Sequence, residues 1–304
     1  MKNKLLTFIL ILLASCVMAQ NPDTVIYKAV NGKELKMYIF KPEKQAESKA
    51  AMVLFHGGGW NAGKPQALFK QAQYFASRGF TVFLPQYRLR KTDSTTIVEA
   101  VTDAKDAMGW VRKHAGQFNI DPDKIIAGGG SAGGHLAIIT AMNTDIESSY
   151  SPREYQPDAL VLFNPVLDVS KEGYGHYKVS KEAASYHIPW SSLSPINNIR
   201  RGLPPCIVLV GDKDKVLPKP TALKFEKMMK KAGNDCEVRI YPGGEHTFFN
   251  YGYAGKMGYP KGTKNRYYYE VLQDADDFLV NHGYLERHIK AEIPEDAVYP
   301  IRKE

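Results

Sequence analysis

The stretch IIAGGGSAGGHLA, residues 125–137, joins an aliphatic run to a turn that holds five glycines and one serine. Gly129, Ser131 and Gly133 fit the pattern G-x-S-x-G between a predicted strand and a predicted helix. In this pattern a short turn strains the serine backbone and exposes its hydroxyl, while the glycines leave room for a closely packed strand and helix. The stretch therefore predicts a turn that presents Ser131 as a nucleophile.

Two other roles are open to a glycine-rich turn. A G-x-S-x-G match alone is a weak signal in a chain with 25 glycines, and such a turn can serve packing only. A phosphate loop is less well supported, because no G-x-x-x-x-G-K-[ST] pattern follows a strand. Gly128, Gly130 and Gly133 fit G-x-G-x-x-G, yet no acidic residue follows a further strand at the spacing needed to bind a ribose.

Length and composition limit the class of protein. The chain has 304 residues, of which 44% are hydrophobic and 24% charged, as in globular proteins. Its net charge is +8, but the basic residues are dispersed, so no nucleic-acid partner is predicted. Because single α/β domains reach roughly 250 residues and no Pro/Ser/Gly-rich linker divides the chain, we predict one domain over residues 20–304.

The N-terminal residues 1–19 have the layout of a secretory signal peptide. Two lysines precede an apolar run, which ends in small residues with a cleavage site after Ala19. The run is too short to span a bilayer, which takes about 20 apolar residues. Residues 13–16 also resemble a bacterial lipobox, so a lipid anchor on Cys16 is the alternative to plain cleavage. The sequence predicts a secreted or periplasmic protein.

Cys206 and Cys236 are the cysteines outside this leader. Each stands at the front of a strand-like run, and their spacing is not that of a metal site. Export permits a disulfide between them, but we expect buried free thiols. No metal or organic cofactor is predicted.

Strand-like and helix-like segments alternate along the chain. Apolar runs predict strands over 37–42, 50–59, 80–89, 124–130, 157–166, 204–212 and 236–244. Helical spacing of apolar residues predicts helices over 64–79, 95–118, 132–142 and 220–233. Near-continuous apolar strands separated by helices indicate an α/β fold with a mostly parallel sheet covered on both faces. Ligands of such sheets bind at the carboxyl ends of the strands.

Three further signals stand at those ends. HGGGW, residues 56–60, follows a strand and is a glycine loop whose amides can face a developing oxyanion. Asp214 follows one later strand, and His246 follows the next. The order Ser131, Asp214, His246 is that in which one class of hydrolase supplies nucleophile, acid and base.

With these motifs the chain resembles the α/β-hydrolases, and among them the hormone-sensitive-lipase-like bacterial esterases of the carbohydrate acyl esterase type. The resemblance covers roughly residues 35–285. It implies a mostly parallel central sheet with helices on both faces, small lid loops and serine carboxylesterase activity. It also implies an oxyanion hole made by the amides of Gly58, Gly59 and Ala132. In PQYRL, residues 85–89, Gln86 replaces the acid common in these enzymes, which puts a structural salt bridge from that position in doubt.

The chemistry of each group sets its expected role. His246 takes the proton of Ser131, whose hydroxyl is a weak nucleophile, and Asp214 holds the imidazole in the correct tautomer. Asp212 is the alternative acid, although the G-x-x-D-x-x-x-P spacing favours Asp214. The alternative histidines are His56, His135, His176 and His187.

The expected substrate is an acylated plant carbohydrate, carrying acetyl or feruloyl groups. Aromatic rings stack on sugar faces, and Trp60 and Trp190 are the candidate substrate-binding residues. The tyrosine-rich segments 174–190 and 248–269 are expected to be loops that either pack against the core or face the substrate.

Two other functions stay open. A serine peptidase of the prolyl-oligopeptidase type shares the fold and the order of the three residues, but usually carries an N-terminal propeller. A catalytically silent hydrolase-fold binding protein would have no physical reason to keep Ser131, Asp214 and His246 together.

Overall fold

Eight strands form one sheet in a computed structural model that describes residues 21–142 and 145–301. They are β1 (Asp23–Val30), β2 (Lys33–Phe40), β3 (Ala51–Phe55), β4 (Thr81–Pro85), β5 (Ile125–Gly130), β6 (Ala159–Phe163), β7 (Cys206–Gly211) and β8 (Cys236–Tyr241). Their order across the sheet is β1-β2-β4-β3-β5-β6-β7-β8. β2 pairs antiparallel with β1 and β4, and the other neighbours are parallel. The predicted mostly parallel sheet is confirmed.

Helices cover both faces of this sheet. They are α1 (Phe69–Ser77), α2 (Arg90–Asp93), α3 (Ile97–Lys113), α4 (Ala132–Ala141), α5 (Pro152–Tyr155), α6 (His176–Ser185), α7 (Lys219–Lys231), α8 (Tyr253–Lys256) and α9 (Arg266–Asn281). Buried side chains of α3, α4, α6 and α7 form the core on one face, and those of α1 and α9 form it on the other. Within the described ranges, no helix combines the length and the apolar character needed to cross a membrane.

The central strands explain why two separate cores form. In β3, Val53 and Phe55 point into one core, and Met52 and Leu54 point into the other. Successive side chains of a strand alternate between faces, so a continuous apolar run is what a doubly covered strand needs. Cys206 and Cys236 lie opposite each other on β7 and β8 as buried free thiols. The predicted signal peptide and the lipid-anchor site at Cys16 lie outside the described residues.

Some elements were not predicted. β1 is an edge strand in which only Tyr27 is buried, so its apolar signal is weak. The pair Asn31-Gly32, with φ of 51° and 75°, forms the turn to β2 and is a typical hairpin signal. The expectation of loops is wrong for part of each tyrosine-rich segment, because α6 lies within 174–190 and α8 and the start of α9 lie within 248–269. α6 buries only Val179 and Ala183, a narrow apolar stripe in a polar sequence.

A buried cluster of charges fastens the edge of the sheet to α3. Asp103 on α3 accepts hydrogen bonds from Lys28 Nζ at 2.7 Å and from Arg88 Nε and Nη2 at 2.8 Å each. Arg88 belongs to the PQYRL stretch, and Gln86 instead accepts the Lys36 amide at 3.0 Å. Position 86 thus contributes a hydrogen bond from a neutral side chain, and Arg88 in the same stretch forms an ion pair with Asp103 of α3.

Replacement of Asp103 by Asn tests this cluster. Removing one partner of a buried ion pair leaves the other charge uncompensated, so we expect the free energy of unfolding to fall by about 3 kcal/mol. Urea unfolding followed by circular dichroism measures the change. Glu226→Gln on α7 removes an exposed pair with Lys230 and is the control, with an expected loss of about 0.5 kcal/mol or less. Equal losses in the two variants would contradict the assignment.

Candidate active site

Ser131 lies in a one-residue turn between β5 and α4. Its φ of 55° and ψ of −121° are a conformation that non-glycine residues rarely adopt. The Ser131 amide donates to the Phe163 carbonyl at 3.0 Å, and its own carbonyl accepts from the His135 amide at 3.0 Å. These bonds to β6 and α4 hold the backbone in place, so that the side chain lies at the carboxyl edge of the sheet.

The glycine after this turn lets α4 approach β3. A Cβ at Gly133 would lie 2.0 Å from the Phe55 carbonyl oxygen and 2.5 Å from that of His56. No side chain fits between these backbones. The glycines of 125–137 thus serve close packing, and that packing is also what holds Ser131 in position.

His246 joins Ser131 to Asp214. Its Nε2 lies 2.7 Å from Ser131 Oγ, and its Nδ1 lies 2.9 Å from Asp214 Oδ2. Asp214 is 4% exposed, and its Oδ1 accepts the amides of Val216 and Leu217 at 2.8 and 2.9 Å. A carboxylate held against Nδ1 favours the proton there, which leaves Nε2 free to accept a proton from the serine hydroxyl.

Asp212, the alternative acid, has a different role. Its Oδ1 accepts the Gly243 amide at 2.7 Å and so fixes the turn that follows β8. His246 makes its carboxylate contacts with Asp214.

His56 and His135 each contact a backbone carbonyl rather than Ser131. His56 Nδ1 lies 2.8 Å from the Gly57 carbonyl, and its ring stacks on Tyr87 with centroids 4.4 Å apart. His135 Nε2 lies 2.7 Å from the Leu193 carbonyl. Burial lowers the pKa of both imidazoles to about 4, which keeps them neutral at neutral pH. The remaining candidates belong to the chain between β6 and β7: His176 and His187.

Asn164, at the end of β6, is a site residue that the sequence analysis missed. It is fully buried with φ of 36°. Its Nδ2 lies 2.7 Å from His246 Nδ1 and donates to Asp214 Oδ2 and to the His246 carbonyl, both at 3.2 Å. Asn164 therefore contacts both Asp214 and His246, and it fixes the Asp214 carboxylate relative to the His246 imidazole. An asparagine directly after a buried strand, at the edge that carries the other site residues, is the signal that could have identified it.

The glycine loop after β3 passes directly beside Ser131. A Cβ at Gly57 would lie 3.3 Å from Ser131 Cβ, and one at Gly58, where φ is 124°, would lie 1.8 Å from the Ala62 carbonyl oxygen. In the part of the chain that the structure describes, the amides of Gly58 and Gly59 donate no hydrogen bond. Ala132 is the first residue of α4, where helix amides lack an internal acceptor. The oxyanion role of these three amides stays a prediction.

A cavity of about 660 Å³ opens onto Ser131 and His246. The glycine loop, Trp60, Tyr174 and Val179 line this cavity, and the ring centroids of Trp60 and Tyr174 lie 6.0 Å apart. Trp60 is only 2% exposed, whereas Tyr174 is 37% exposed and presents a larger aromatic surface. Trp190 does not line this cavity, and its ring instead packs edge-on against His176 with centroids 5.3 Å apart. The structure brings Trp60 to the site and not Trp190.

A metal site is not part of this arrangement. Across residues 21–142 and 145–301, no group of three or more His, Cys, Asp or Glu side chains is placed to hold a metal ion. The side chain in hydrogen-bond contact with Ser131 Oγ is that of His246.

The sheet order and the Ser131–His246–Asp214 contacts define an α/β-hydrolase with the geometry of a serine hydrolase. A family model described as BD-FAE matches residues 37–229, and the chain belongs to this family. It is an α/β-hydrolase of the hormone-sensitive-lipase-like esterase type.

Individual relatives support the same classification. A thermophilic esterase of Thermogutta terrifontis with bound propionate is 38% identical with a TM-score of 0.78, over 88% of this chain and 97% of that one. An acetylxylan esterase of Xylanibacter ruminicola is 28% identical over 295 residues, 92% of this chain and 55% of that protein. Esterase LipQ of Mycobacterium tuberculosis is 25% identical over 66% of this chain and 51% of its own length. The chain spans about half the length of these two curated relatives.

Substitution of Asn164 tests its part in the site. Asn164→Ala removes donors to Asp214 and to the His246 carbonyl, so we expect kcat for 4-nitrophenyl acetate to fall about tenfold to hundredfold. Asn164→Asp places a second carboxylate beside His246, which stabilises the imidazolium and moves the acidic limb of the kcat/KM profile to higher pH.

Asn198→Ala is the matched control for this test. Asn198 also donates from Nδ2 to two carbonyls, those of Ser191 and Ser194, at 2.6 and 2.8 Å. No described contact joins Asn198 to Ser131, His246 or Asp214. If Asn164→Ala and Asn198→Ala reduce kcat equally, or if Asn164→Asp leaves the pH profile unmoved, Asn164 serves folding only.

Proposed function

We propose that the chain hydrolyses carboxylic esters with Ser131 as nucleophile, His246 as general base and then general acid, and Asp214 as the residue that orients His246. The continuous contact from Ser131 Oγ through His246 to Asp214, at 2.7 and 2.9 Å, is the observation that carries this proposal. The three residues are connected in the order of a Ser-His-Asp triad and have the roles of its members.

The reaction proceeds in two stages, formation of an acyl-serine and its hydrolysis. Ser131 Oγ attacks the ester carbonyl carbon while its proton moves to His246 Nε2, and a tetrahedral oxyanion forms. The C–O bond to the alcohol then breaks, and the alcohol leaves with the proton from Nε2. A water molecule attacks the acyl-serine in the same way, with His246 first taking and then returning a proton.

The oxyanion is bound, in this proposal, by the amides of Gly58, Gly59 and Ala132. Gly58 and Gly59 line the same cavity as Ser131, and their amides have no partner in the described chain. The Ala132 amide begins a helix, where the helix dipole also favours negative charge. Loss of one such donor typically costs about a hundredfold to a thousandfold in rate. No metal or organic cofactor takes part in the steps above.

For the substrate we propose acetyl or feruloyl esters of plant carbohydrate. The acetylxylan esterase of Xylanibacter ruminicola aligns over 92% of this chain, which supports an acylated polysaccharide. The exposed ring of Tyr174 in the cavity wall supplies a surface on which a sugar can stack. The export signal predicted over residues 1–19 would deliver the enzyme to such a substrate outside the cytoplasm.

Replacement of Ser131 by Ala tests the reaction. With its nucleophile removed, the variant is expected to lose about 10⁴-fold or more of kcat on 4-nitrophenyl acetate. Ser77→Ala, which removes an exposed hydroxyl on α1, is the control and is expected to keep wild-type activity. Labelling of wild type, but not Ser131→Ala, by a fluorophosphonate probe is checked by peptide mass spectrometry.

The same assays identify the alternatives. Equal esterase activity in wild type and Ser131→Ala would overturn the proposal. Faster cleavage of dipeptidyl amides than of esters would indicate a serine peptidase, and failure of the probe to label Ser131 would indicate a silent binding protein. A kcat/KM for acetylated or feruloylated oligosaccharides above that for simple esters is expected for the carbohydrate substrate.

A further inference from the structure

A second, smaller cavity adjoins the site cavity. Its volume is about 150 Å³, and three residues line both cavities: Tyr174, Gly175 and Val216. Its other polar side chains come from the chain after β6 and from the start of α7 with the loop before it: Asp168, Glu172, Lys215 and Thr221. The two cavities are neighbours on either side of Tyr174, so one molecule can reach from Ser131 into both.

Several polar groups that line the small cavity have no hydrogen-bond partner among the described residues. Asp168 Oδ1 accepts the Ser170 amide at 2.8 Å, but Asp168 Oδ2 has no partner in the described chain. Likewise, no described residue pairs with the Lys215 ammonium or the Thr221 hydroxyl. A carboxylate, an ammonium and a hydroxyl together offer acceptors and donors within one cavity of this size.

These three side chains determine which chemical groups can bind favourably in the cavity. A hydroxyl group both donates and accepts, so a ring carrying several hydroxyls can satisfy all three side chains at once. An aliphatic acyl group would instead strip water from Asp168 and Lys215 without replacing their hydrogen bonds, which is unfavourable. The polar lining therefore fits the hydroxyl-rich alcohol part of the ester better than an aliphatic acyl group.

Tyr174 provides the apolar part of the same recognition. Its amide donates to the Asp168 carbonyl at 2.9 Å, which ties its backbone to the wall of the small cavity. Its hydroxyl would lie 3.4 Å from a Cβ built on Gly59, so the ring reaches across toward the glycine loop. A half-exposed ring between two cavities can stack on a sugar face while the sugar hydroxyls bind on either side.

We propose that the cavity formed by Asp168, Tyr174, Lys215 and Thr221 is a subsite for one sugar ring, next to the sugar that carries the acyl group. This inference rests on the proposed function, since it names where the carbohydrate part of the substrate binds. An enzyme with this subsite favours acylated oligosaccharides over acylated monosaccharides.

The double variant Lys215→Met/Thr221→Val tests the subsite by kinetics. We expect its kcat/KM on acetylated xylotriose to fall about tenfold to hundredfold more than its kcat/KM on 4-nitrophenyl acetate, mainly through KM. The matched control is Lys227→Met/Thr263→Val, because Lys227 is exposed on α7 and the Thr263 amide, like that of Thr221, donates to a proline carbonyl three residues earlier. Equal losses on both substrates, or an equal effect of the control variant, would overturn the subsite.

Binding of unmodified xylotriose separates this inference from the proposed function. Isothermal titration calorimetry needs no ester hydrolysis, and we expect the Kd of the double variant to rise at least about tenfold over wild type and control. If 4-nitrophenyl acetate is not hydrolysed but this difference in Kd is found, the proposed reaction fails and the subsite stands. An unchanged Kd in the double variant overturns the subsite even if the esterase reaction is confirmed.

Discussion

The strained backbone of Ser131 is the constraint on which the site depends. A serine with φ of 55° and ψ of −121° persists only where its surroundings hold it, and here β6 accepts its amide while β3 closes on Gly133. The Phe55 carbonyl that a side chain at Gly133 would strike belongs to the strand that continues into the glycine loop. The same packing contact therefore fixes both the nucleophile and the loop that faces it.

The remaining site residues follow from the parallel sheet. Because β6, β7 and β8 run in one direction side by side, the residues just beyond them meet at one edge, and Asn164, Asp214 and His246 follow these strands in turn. Burial of the Asp214 carboxylate would be costly alone, but two backbone amides, the Asn164 amide group and the His246 ring all contact it. The charge is thereby held in place at the orientation that His246 needs.

The sequence alone predicted those elements whose pattern lies within a short stretch of the chain. Ser131 and the glycine loop are short motifs between strong apolar runs, and the five strands from β3 to β7 are buried at every residue. β1 and α6 each bury one or two side chains, so their patterns are weak, and Asn164 acts through contacts 50 and 82 residues away. Trp190 was expected at the substrate and Tyr174 was not singled out, because the path of the chain between β6 and β7 depends on tertiary packing.

The segment between β6 and β7 lines the cavity and can affect which substrate binds, but it supplies none of Ser131, His246 and Asp214. Ser131, His246 and Asp214 are positioned by strand ends and by buried hydrogen bonds. Tyr174 and Lys178, in contrast, lie on the cavity wall with exposed side chains, and the described contacts of their side chains with the core are few. Differences in transition-state binding between esters can therefore arise from this wall while the geometry at Ser131 stays fixed.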